Sequence, residues 1–341
     1  MMNLHEHVVL RGITLSGRVE RSATELFCSY PDGHVHPYEF SVYDELSRSG
    51  AGMILTAHTC VSPEGRSNVW QNAVWSDEYL ADATKIAAAA QAHGIPCVMQ
   101  LGHGGMKGEK NNGGLPFVTP DNATEVDIRR IVTAFGAGAL RAKRAGFAGV
   151  QLHAAHLYLF SQWFYPEYNH RTDGYGSCAE NRFRIVRESF EEIKAVCGGD
   201  FPVLLKINGD DRENTAAYHR DLVTVLNLCD ALGFSAAEIS GWDSARHGVP
   251  SSPYFLDNIR LLHKETSLPL IAVGGIRSGA DVDALLSAGA CAISMARPFL
   301  QNPGIVSVLE RGGVSGCTGC CACFRALDVT GERIVRCGCR K

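Results

Sequence analysis

Two histidines and a tyrosine follow a short apolar run near the middle of the chain. They are His153, His156 and Tyr158, in the segment QLHAAHLY. Two imidazole donors that converge on one oxygen would polarise a carbonyl, and a neighbouring phenol could protonate a carbanionic carbon. The spacing of the histidines is equally consistent with a metal-binding pair, or with two histidines that only cap a loop. The polar run NHR at 169–171 could orient such a site from behind.

Cysteine is concentrated at the C-terminal end of the chain. Six of the thirteen cysteines lie in the last 25 residues, and the total is odd. Uneven usage of this kind indicates metal or redox chemistry rather than a disulfide framework. Four thiolates can hold a [4Fe–4S] cluster or a tetrahedral zinc ion, and free or oxidised thiols are the alternative. The predicted ligands are Cys317, Cys320, Cys323 and Cys337, with Cys321 and Cys339 as alternatives.

A repeated sequence pattern indicates the helices and strands that would position these side chains. In four segments a helical pattern closes at a glycine, and a short apolar run of strand length begins a few residues later. The four glycines are Gly94, Gly146, Gly233 and Gly289. Glycine suits a left-handed helix terminus, and short buried strands that alternate with helices are typical of a parallel sheet.

When the same helix-to-strand pattern is sought along the whole chain, it predicts eight strands. Eight units favour an α/β fold of the (β/α)8 TIM-barrel type, whose chemistry lies at the C-terminal ends of the strands. A doubly wound sheet is the main rival, but no GxGxxG follows the first strand. The predicted strands are Val19–Ala23, Met53–Thr56, Cys97–Leu101, Gly149–Leu152, Val203–Ile207, Ala237–Ile239, Leu270–Val273 and Ala292–Met295. Predicted helices include Asp77–Ala92, Glu125–Ala145, Asn181–Cys197 and Tyr218–Leu232.

Two of the strand ends carry residue types that bind phosphate. Gly274 and Gly275 follow the seventh predicted strand, and Ala296 and Arg297 follow the eighth. Barrels commonly bind phosphate with these two loops, because glycines let backbone N–H groups approach and arginine can fork onto phosphate oxygens. A Gly-Gly pair alone more often marks a turn, and the arginine at the next strand end strengthens the phosphate interpretation.

Composition restricts the class of protein. The 341 residues carry 32 basic and 36 acidic side chains, a net charge of −4, so no basic surface points to nucleic acid. No apolar run reaches the ~18 residues of a membrane span, and the N-terminus lacks the pattern of a secretory signal. We therefore expect a soluble, cytoplasmic protein with no membrane partner. It divides into a barrel at 1–312 and a short Cys-rich C-terminal extension at 313–341.

Several longer motifs occur in an order that resembles a known family. The segment HAAHLYLFSQWFYPEYNHRTDGYGSCAENR, together with MQLGHGG, VLLKING, GGIRSG and SMARPFLQNP, is similar to the old yellow enzymes, which are FMN-dependent ene-reductases. The likeness covers nearly the whole chain, and in the last third it is nearest to the 2,4-dienoyl-CoA reductase-like and enoate-reductase branch. It implies a non-covalent FMN at the barrel mouth, reduction by NAD(P)H and a small unsaturated substrate.

The resemblance also implies roles for individual residues. His153 and His156 match the pair that binds the carbonyl or carboxylate oxygen of an electron-poor alkene, and Tyr158 matches its proton donor. Lys206 occupies the position of a cation beside flavin N1, where a positive charge stabilises the anionic reduced flavin. The cofactor-binding residues so implied are Ala23, Thr24, His58, Gln100, Lys206, Gly274, Gly275, Ala296 and Arg297.

Some residues depart from the family pattern. Leu157 stands where the family has glycine, and Met106 replaces its usual arginine. Glu25 lies where the family often has Thr, Cys or His by the flavin C4 carbonyl, and a carboxylate there would disfavour an anionic flavin. Related enzymes hold a [4Fe–4S] cluster with the spacing C-x2-C-x3-C-x11-C, from which this tail also departs. The flavin potential and the substrate range are therefore open.

The predicted reaction passes hydride from NAD(P)H through flavin N5 to the activated C=C bond of an unsaturated carbonyl, enoate or related substrate. One alternative is flavin-dependent oxidation of C–N bonds, as in amine dehydrogenases and demethylases. Another is an accessory electron-transfer subunit that uses the cysteine tail, and a third is a flavin-free phosphate-binding barrel such as a lyase. The choice of NADH or NADPH is open, and so is that of a monomer or a homo-oligomer.

Overall fold

Eight parallel strands close into a barrel that is surrounded by helices. The structure is a computed structural model, and it describes residues 3–108, 114–242, 248–324 and 335–338. The strands are β1 (Val8–Leu10), β2 (Ile13–Leu15), β3 (Val19–Arg21), β4 (Met53–Leu55), β5 (Thr59–Cys60), β6 (Cys97–Gly102), β7 (Gly149–Ala154), β8 (Val203–Asn208), β9 (Ala237–Ser240), β10 (Leu270–Val273) and β11 (Ala292–Met295).

The pairing of the strands closes the sheet on itself. From β6 to β11 each strand pairs with the next one along the chain, β11 pairs with β3, β3 with β4, and β4 with β6. All of these pairs are parallel, and the two-residue β5 adds a short pairing to β6. The eight predicted strands are confirmed to within two residues at their ends. The predicted TIM barrel is therefore confirmed, and the open doubly wound sheet is wrong because no barrel strand is left at an edge.

Helices cover the outside of the barrel. The predicted helix 77–92 begins with a 3-10 turn, Asp77–Tyr79, and the predicted helix 181–197 is divided at Phe183. Of the helices that the structure describes, none is both long and apolar enough to cross a membrane. The helices are α1 (Pro37–Leu46), α2 (Leu80–Gln91), α3 (Glu125–Arg144), α4 (Leu159–Phe164), α5 (Ala179–Arg182), α6 (Arg184–Cys197), α7 (Ala216–Leu232), α8 (Leu256–Leu262), α9 (Gly279–Ser287), α10 (Arg297–Gln301) and α11 (Ile305–Glu310).

Four helix ends turn into the next strand at a glycine. Gly94, Gly146, Gly233 and Gly289 have φ angles of 80°, 93°, 101° and 110°. This left-handed region is unfavourable for residues with a Cβ atom and open to glycine. The repeated sequence pattern thus marks the helix-to-strand turns of the barrel, as predicted.

A small antiparallel hairpin, β1 and β2, closes the N-terminal end of the barrel, and sequence reasoning missed it. Each of its strands has only three residues, too few to show a period-two pattern clearly. Its apolar side chains pack into the barrel end and leave the opposite end, at the C-terminal ends of the strands, as the open one. The cluster contains Val8, Leu10, Ile13 and Leu15 of the hairpin with Met53, Leu55, Leu204 and Ile271 of the barrel.

Candidate active site

The open end of the barrel contains a cavity of about 240 Å³. Its walls come from the ends of the strands and from the loops that follow them, where barrel enzymes carry their chemistry. The structure brings all of the predicted catalytic and cofactor-binding residues together here. The predicted residues that line it are Ala23, Thr24, His58, Gln100, His153, His156, Tyr158, Lys206, Gly274, Gly275, Ala296 and Arg297.

His153 and His156 form a pair of neutral imidazoles. Their ring centroids are 5.1 Å apart, and His156 Nε2 lies 2.8 Å from Ser240 Oγ. Burial, and then the charges of neighbouring groups, lower the pKa of both histidines well below the usual value. His153 Nδ1 accepts the backbone N–H of Ala155 at 3.3 Å, so a neutral His153 carries its proton on Nε2. Nε2 of His153 is therefore a hydrogen-bond donor.

A strained turn separates the histidines from the tyrosine. His156 and Leu157 have φ angles of 58° and 56°, in the left-handed region that costs a residue with a Cβ atom about 1–2 kcal/mol. Leu157 is the position where the family has glycine, and here the chain adopts a positive φ without glycine. The turn is held by Gln162, whose Nε2 donates to the Leu157 carbonyl at 2.6 Å. Strain of this kind clusters at functional sites.

Tyr158 lies beside both His153 and His58. Its ring centroid is 4.7 Å from that of His153 and 4.8 Å from that of His58. Burial, and then the charge of Glu25, raise the pKa of the phenol, so Tyr158 is protonated at neutral pH. A protonated phenol beside the imidazole donor of His153 is the arrangement that the predicted proton donor requires.

Lys206 is held by a buried network that the sequence did not reveal. Its Nζ donates to Glu238 Oε1 at 3.0 Å and to Ser22 Oγ at 2.9 Å. Ser22 donates to Glu238 Oε1 at 2.7 Å, and Gln151 donates to Glu238 Oε2 at 2.9 Å. Gln100 in turn donates to Gln151 Oε1 at 2.7 Å, so the network reaches the cavity at two predicted cofactor residues.

The charges of this network follow from its surroundings. Burial alone would raise the pKa of Glu238, but the charge of Lys206 and the hydrogen bonds outweigh it and lower that pKa. Glu20 lies nearby in the barrel, with neither carboxyl oxygen hydrogen-bonded in the described residues. Burial, and then the charge of Glu238, raise the pKa of Glu20 well above its usual value. Glu20 is thus neutral and Glu238 ionised beside Lys206.

Glu25 faces His58 across the rim of the same cavity. Its Oε2 lies 2.9 Å from His58 Nε2, although the ring N–H is not well aimed at it. Gln71 Nε2 lies 3.2 Å from Nδ1 of His58 and donates to the His58 carbonyl at 3.1 Å. The sequence predicts that His58 contacts the flavin through its backbone. In the structure His58 lines the cavity, and its ring lies beside that of Tyr158.

The loops after β10 and β11 provide a backbone cradle. Gly274 and Gly275 have φ angles of 108° and 77°, and a Cβ atom on Gly275 would lie 3.0 Å from the backbone nitrogen of Tyr254. Only glycine fits this close approach without a shift. Ser294 lines the cavity with a buried hydroxyl that has no hydrogen-bond partner in the parts of the chain described. These groups, with Arg297 at the start of α10, suit an anionic, polar ligand.

Comparison with known proteins decides the family. The sequence profile of the family described as NADH:flavin oxidoreductase / NADH oxidase matches residues 4–314. An NADPH dehydrogenase of Halalkalibacterium halodurans is 31% identical over 314 residues, which cover 88% of this chain and 91% of that protein. The chain belongs to this family, the old yellow enzymes. The protein is accordingly an NAD(P)H-dependent flavin oxidoreductase.

More distant relatives agree with this assignment. An NADPH dehydrogenase of Bacillus subtilis is 27% identical over 308 residues, 87% of this chain and 90% of that protein. The solved structure of the old yellow enzyme homologue from Zymomonas mobilis has a TM-score of 0.82 at 21% identity, covering 98% of this chain and all of that one. A 2-naphthoyl-CoA reductase also has a TM-score of 0.82, at 20% identity, and this chain spans 52% of its length. At these identities the two structures show the fold.

The cavity of this old yellow enzyme fits an FMN. The glycine cradle and Arg297 would hold the phosphate, and Lys206 and Gln100 would face the pyrimidine edge of the ring. The unpartnered hydroxyl of Ser294 supplies a further polar group inside the cavity. The individual assignments stay predictions, but every residue that they need is on the cavity wall.

The cysteine tail lies against the same end of the barrel. Cys323 and Val335 line the main cavity, and Arg297 Nη1 donates to Cys321 Sγ at 3.1 Å. Sequence reasoning treated the tail as a separate unit and missed this contact. The predicted ligands do gather around one small neighbouring cavity, whose cysteines are Cys317, Cys320, Cys321, Cys323 and Cys337.

In the described residues this gathering is not arranged as a metal site. Within the described ranges, no group of three or more Cys, His, Asp or Glu side chains is arranged to hold a metal ion. Burial raises the pKa of Cys323 to about 11, so the free thiol is protonated at neutral pH. The structure gives no support to the predicted [4Fe–4S] cluster, and Cys339 lies outside the described residues.

The prediction that the run 169–171 orients the histidines from behind is wrong. Asn169 Nδ2 donates to the carbonyl of Trp163 at 2.8 Å, and Arg171 Nη1 donates to the carbonyl of Pro120 at 2.8 Å. None of the three residues lines the cavity. They tie loops together, because polar side chains in a loop satisfy backbone carbonyls that have no partner in a helix or strand.

Proposed function

We propose that this flavin oxidoreductase is an FMN-dependent ene-reductase, which reduces the activated C=C bond of unsaturated carbonyl compounds and carboxylates. The observation that supports this most is the group of His153, His156 and Tyr158. Two neutral imidazoles and a protonated phenol line one cavity with the residues suited to a flavin. Reduction of a C=C bond needs a donor for the carbonyl oxygen and an acid for the carbon, and this group offers both.

A bound FMN would supply the redox chemistry, by taking up hydride from NAD(P)H and passing it to the β-carbon. The chain binds and orients this cofactor through the glycine cradle and Arg297 at the phosphate and Lys206 with Gln100 at the ring. A fixed positive charge near the pyrimidine edge favours the reduced state, and Glu238 moderates that charge.

The two imidazoles would hold the substrate by its carbonyl oxygen. Because their pKa values are lowered, they donate hydrogen bonds as neutral groups and stabilise the charge that develops on this oxygen. Tyr158 then gives its proton to the α-carbon. Its raised pKa keeps the proton in place until the carbon has gained negative charge.

Further parts of the proposal concern the context of the reaction. We infer NADPH as the reductant, since the relatives at 31% and 27% identity are named NADPH dehydrogenases. We keep the cytoplasm as the location and 1–312 and 313–341 as the two parts of the chain. The [4Fe–4S] cluster stays a prediction, and the choice between a monomer and a homo-oligomer stays open.

Anaerobic stopped-flow absorbance tests the proposed reaction. Holoenzyme reduced with NADPH should be reoxidised by 2-cyclohexenone. Tyr158→Phe should slow this reoxidation by about 10²-fold or more, the usual contribution of a general acid, and slow reduction by NADPH far less. Tyr30→Phe, an exposed tyrosine away from the cavity, is the matched control and should slow neither step. Equal losses in both half-reactions for Tyr158→Phe, or a protein without flavin, would contradict the proposal.

A further inference from the structure

Lys107 brings a positive charge to the substrate side of the cavity. It lies in the 3-10 turn Gly105–Gly108 after β6, and its side chain lines the cavity. Its Nζ donates to the carbonyl of His156 at 2.5 Å and lies 4.6 Å from the centroid of the Tyr158 ring. The ammonium group therefore lies directly beside the residues proposed to bind and protonate the substrate.

This charge has no acidic partner in the described part of the chain. No carboxylate there lies within 4.0 Å of Lys107 Nζ, whereas Lys206, the cavity's other lysine, is paired with Glu238 at 3.0 Å. Glu25 also lines the cavity, but it lies against His58. A cation at the wall of a cavity that has no acidic partner among the described residues favours a ligand that brings a negative charge with it.

The same charge acts on the two histidines. The positive charges of Lys107 and Lys206 help to lower the pKa of His153 and of His156. The imidazoles therefore stay neutral donors, and the ammonium group that contacts their turn, at the His156 carbonyl, is that of Lys107. An uncharged carbonyl needs only the donors, whereas a carboxylate also needs the cation.

Resting on the proposed function, we propose that the preferred substrates are α,β-unsaturated carboxylates, whose carboxylate is held by His153 and His156 and charge-balanced by Lys107. Enoates resist hydride addition because the reaction places a second negative charge on an anion. A nearby ammonium group lowers that barrier by Coulomb attraction. In the balanced reaction the enoate, NAD(P)H and one proton give the saturated carboxylate and NAD(P)⁺. Hydride adds to the β-carbon, the π pair moves toward the carboxylate and Tyr158 gives the α-carbon its proton.

Lys107 also suits the step that leaves Tyr158 without a proton. A cation 4.6 Å from the centre of the ring attracts its π face, and attracts a phenolate more strongly. The phenolate then regains a proton from water. One side chain thereby balances both negative charges that form during reduction of an enoate.

Binding of two probes to the oxidised holoenzyme tests the charge preference. Benzoate and benzamide have the same shape and differ in charge, and their dissociation constants can be read from the change in flavin absorbance. The benzoate preference should fall about tenfold in Lys107→Met, a change of about 1.4 kcal/mol. Lys107→Arg should keep most of it. Lys85→Met, on α2 outside the cavity, is the matched control and should keep the wild-type ratio.

Turnover separates this proposal from the proposed function. Wild-type enzyme should reduce cinnamate, and Lys107→Met should lower kcat/KM for cinnamate about tenfold relative to that for 2-cyclohexenone. Added salt should lower the cinnamate value alone, because it screens the charge. If wild type binds benzoate no better than benzamide, or Lys107→Met changes both probes alike, the proposal is wrong. A variant whose defect lies in KM for NADPH would assign Lys107 to the nucleotide instead. Failure to reduce either alkene would overturn the proposed function itself.

Discussion

Glu238 changes what Lys206 can do for a flavin. A lone lysine at the pyrimidine edge would present a full positive charge, but here a buried carboxylate lies 3.0 Å from its Nζ. Both side chains are almost completely inaccessible to solvent, so little water screens the pair. The pair is close to neutral as seen from the cavity, and it favours an anionic reduced flavin less than lysine alone.

Glu238→Gln should therefore raise the midpoint potential of the bound flavin. The amide keeps the shape and the contact with Lys206 but removes the negative charge. We expect a rise on the order of 30 mV, about 1.4 kcal/mol for a two-electron couple, measured by anaerobic dye titration.

Glu265→Gln is the control for this potential. It removes the same charge from a half-exposed side chain paired with His219, where solvent screens it. An unchanged or lower potential in Glu238→Gln would show that Glu238 does not moderate the charge of Lys206.

At the scale of elements, the loops after β10 and β11 determine whether a phosphate can be held. Parallel pairing places the ends of these two strands side by side, so Gly274 and Gly275 meet the start of α10. The backbone there comes close to Tyr254, and both glycines line the cavity. This arrangement depends on the lack of side chains in the loop after β10.

Gly275→Ala should weaken the retention of FMN. The added Cβ would lie 3.0 Å from the backbone nitrogen of Tyr254, and the φ of 77° is itself unfavourable for alanine. We expect at least a tenfold rise in the dissociation constant of FMN, measured by flavin fluorescence after gel filtration.

Gly146→Ala is a matched control for the backbone. Gly146 has a φ of 93° but open space around it, and it precedes the N-terminal end of β7, whereas the cavity lies at the C-terminal end. This variant should lose stability by about 1 kcal/mol and keep its FMN. If both variants retained flavin equally, the cradle would not be the phosphate site.

On the scale of the whole molecule, buried carboxyl groups couple folding to pH. Glu39 of α1 accepts a hydrogen bond from Asn72 Nδ2 at 2.8 Å and is almost completely buried. Burial, and then the charge of Glu25, raise its pKa to about 7. A carboxyl whose pKa is higher in the folded state holds a proton that the unfolded chain has lost, so it stabilises the fold less as pH rises from about 4.5 to 7.

Glu39→Gln should remove this dependence. The amide can accept the same hydrogen bond without ionising, so its stability relative to wild type should increase between pH 4.5 and 8. The difference should approach about 3 kcal/mol. Urea denaturation at several pH values measures it. A difference between the two proteins that stays constant over this range would mean that Glu39 keeps its ordinary pKa in the folded chain.

Much of the fold and of the site could be predicted from local patterns. Strands buried on both faces leave continuous apolar runs, and helix ends such as Gly146 need a residue free to adopt positive φ. Both signals lie within a few neighbouring residues. Polar residues such as His153 and Arg297 stand out at the ends of the predicted strands, so the site could be located before its geometry was known.

What could not be predicted depends on residues that are far apart in the chain. Glu238 lies in the middle of a buried strand, and a charge in such a run was the signal that could have revealed it. Its partner Lys206 lies on the neighbouring strand, however, 32 residues earlier. Lys107 stands next to Met106, where the family's arginine is missing, and nothing in the sequence places its ammonium group over the Tyr158 ring.

The amino-acid sequence thus determined the barrel, its family and the residues of the candidate site, because periodicity, turn glycines and motif order are properties of adjacent residues. The tertiary structure alone decided the protonation states and charge balance of the site. Burial and contacts between distant strands control pKa values, and neither is a property of a short segment. The C-terminal tail illustrates the same difference between sequence and structure. Its cysteines are evident in the sequence. Only the folded chain places Cys323 at the cavity wall, where burial keeps its free thiol protonated.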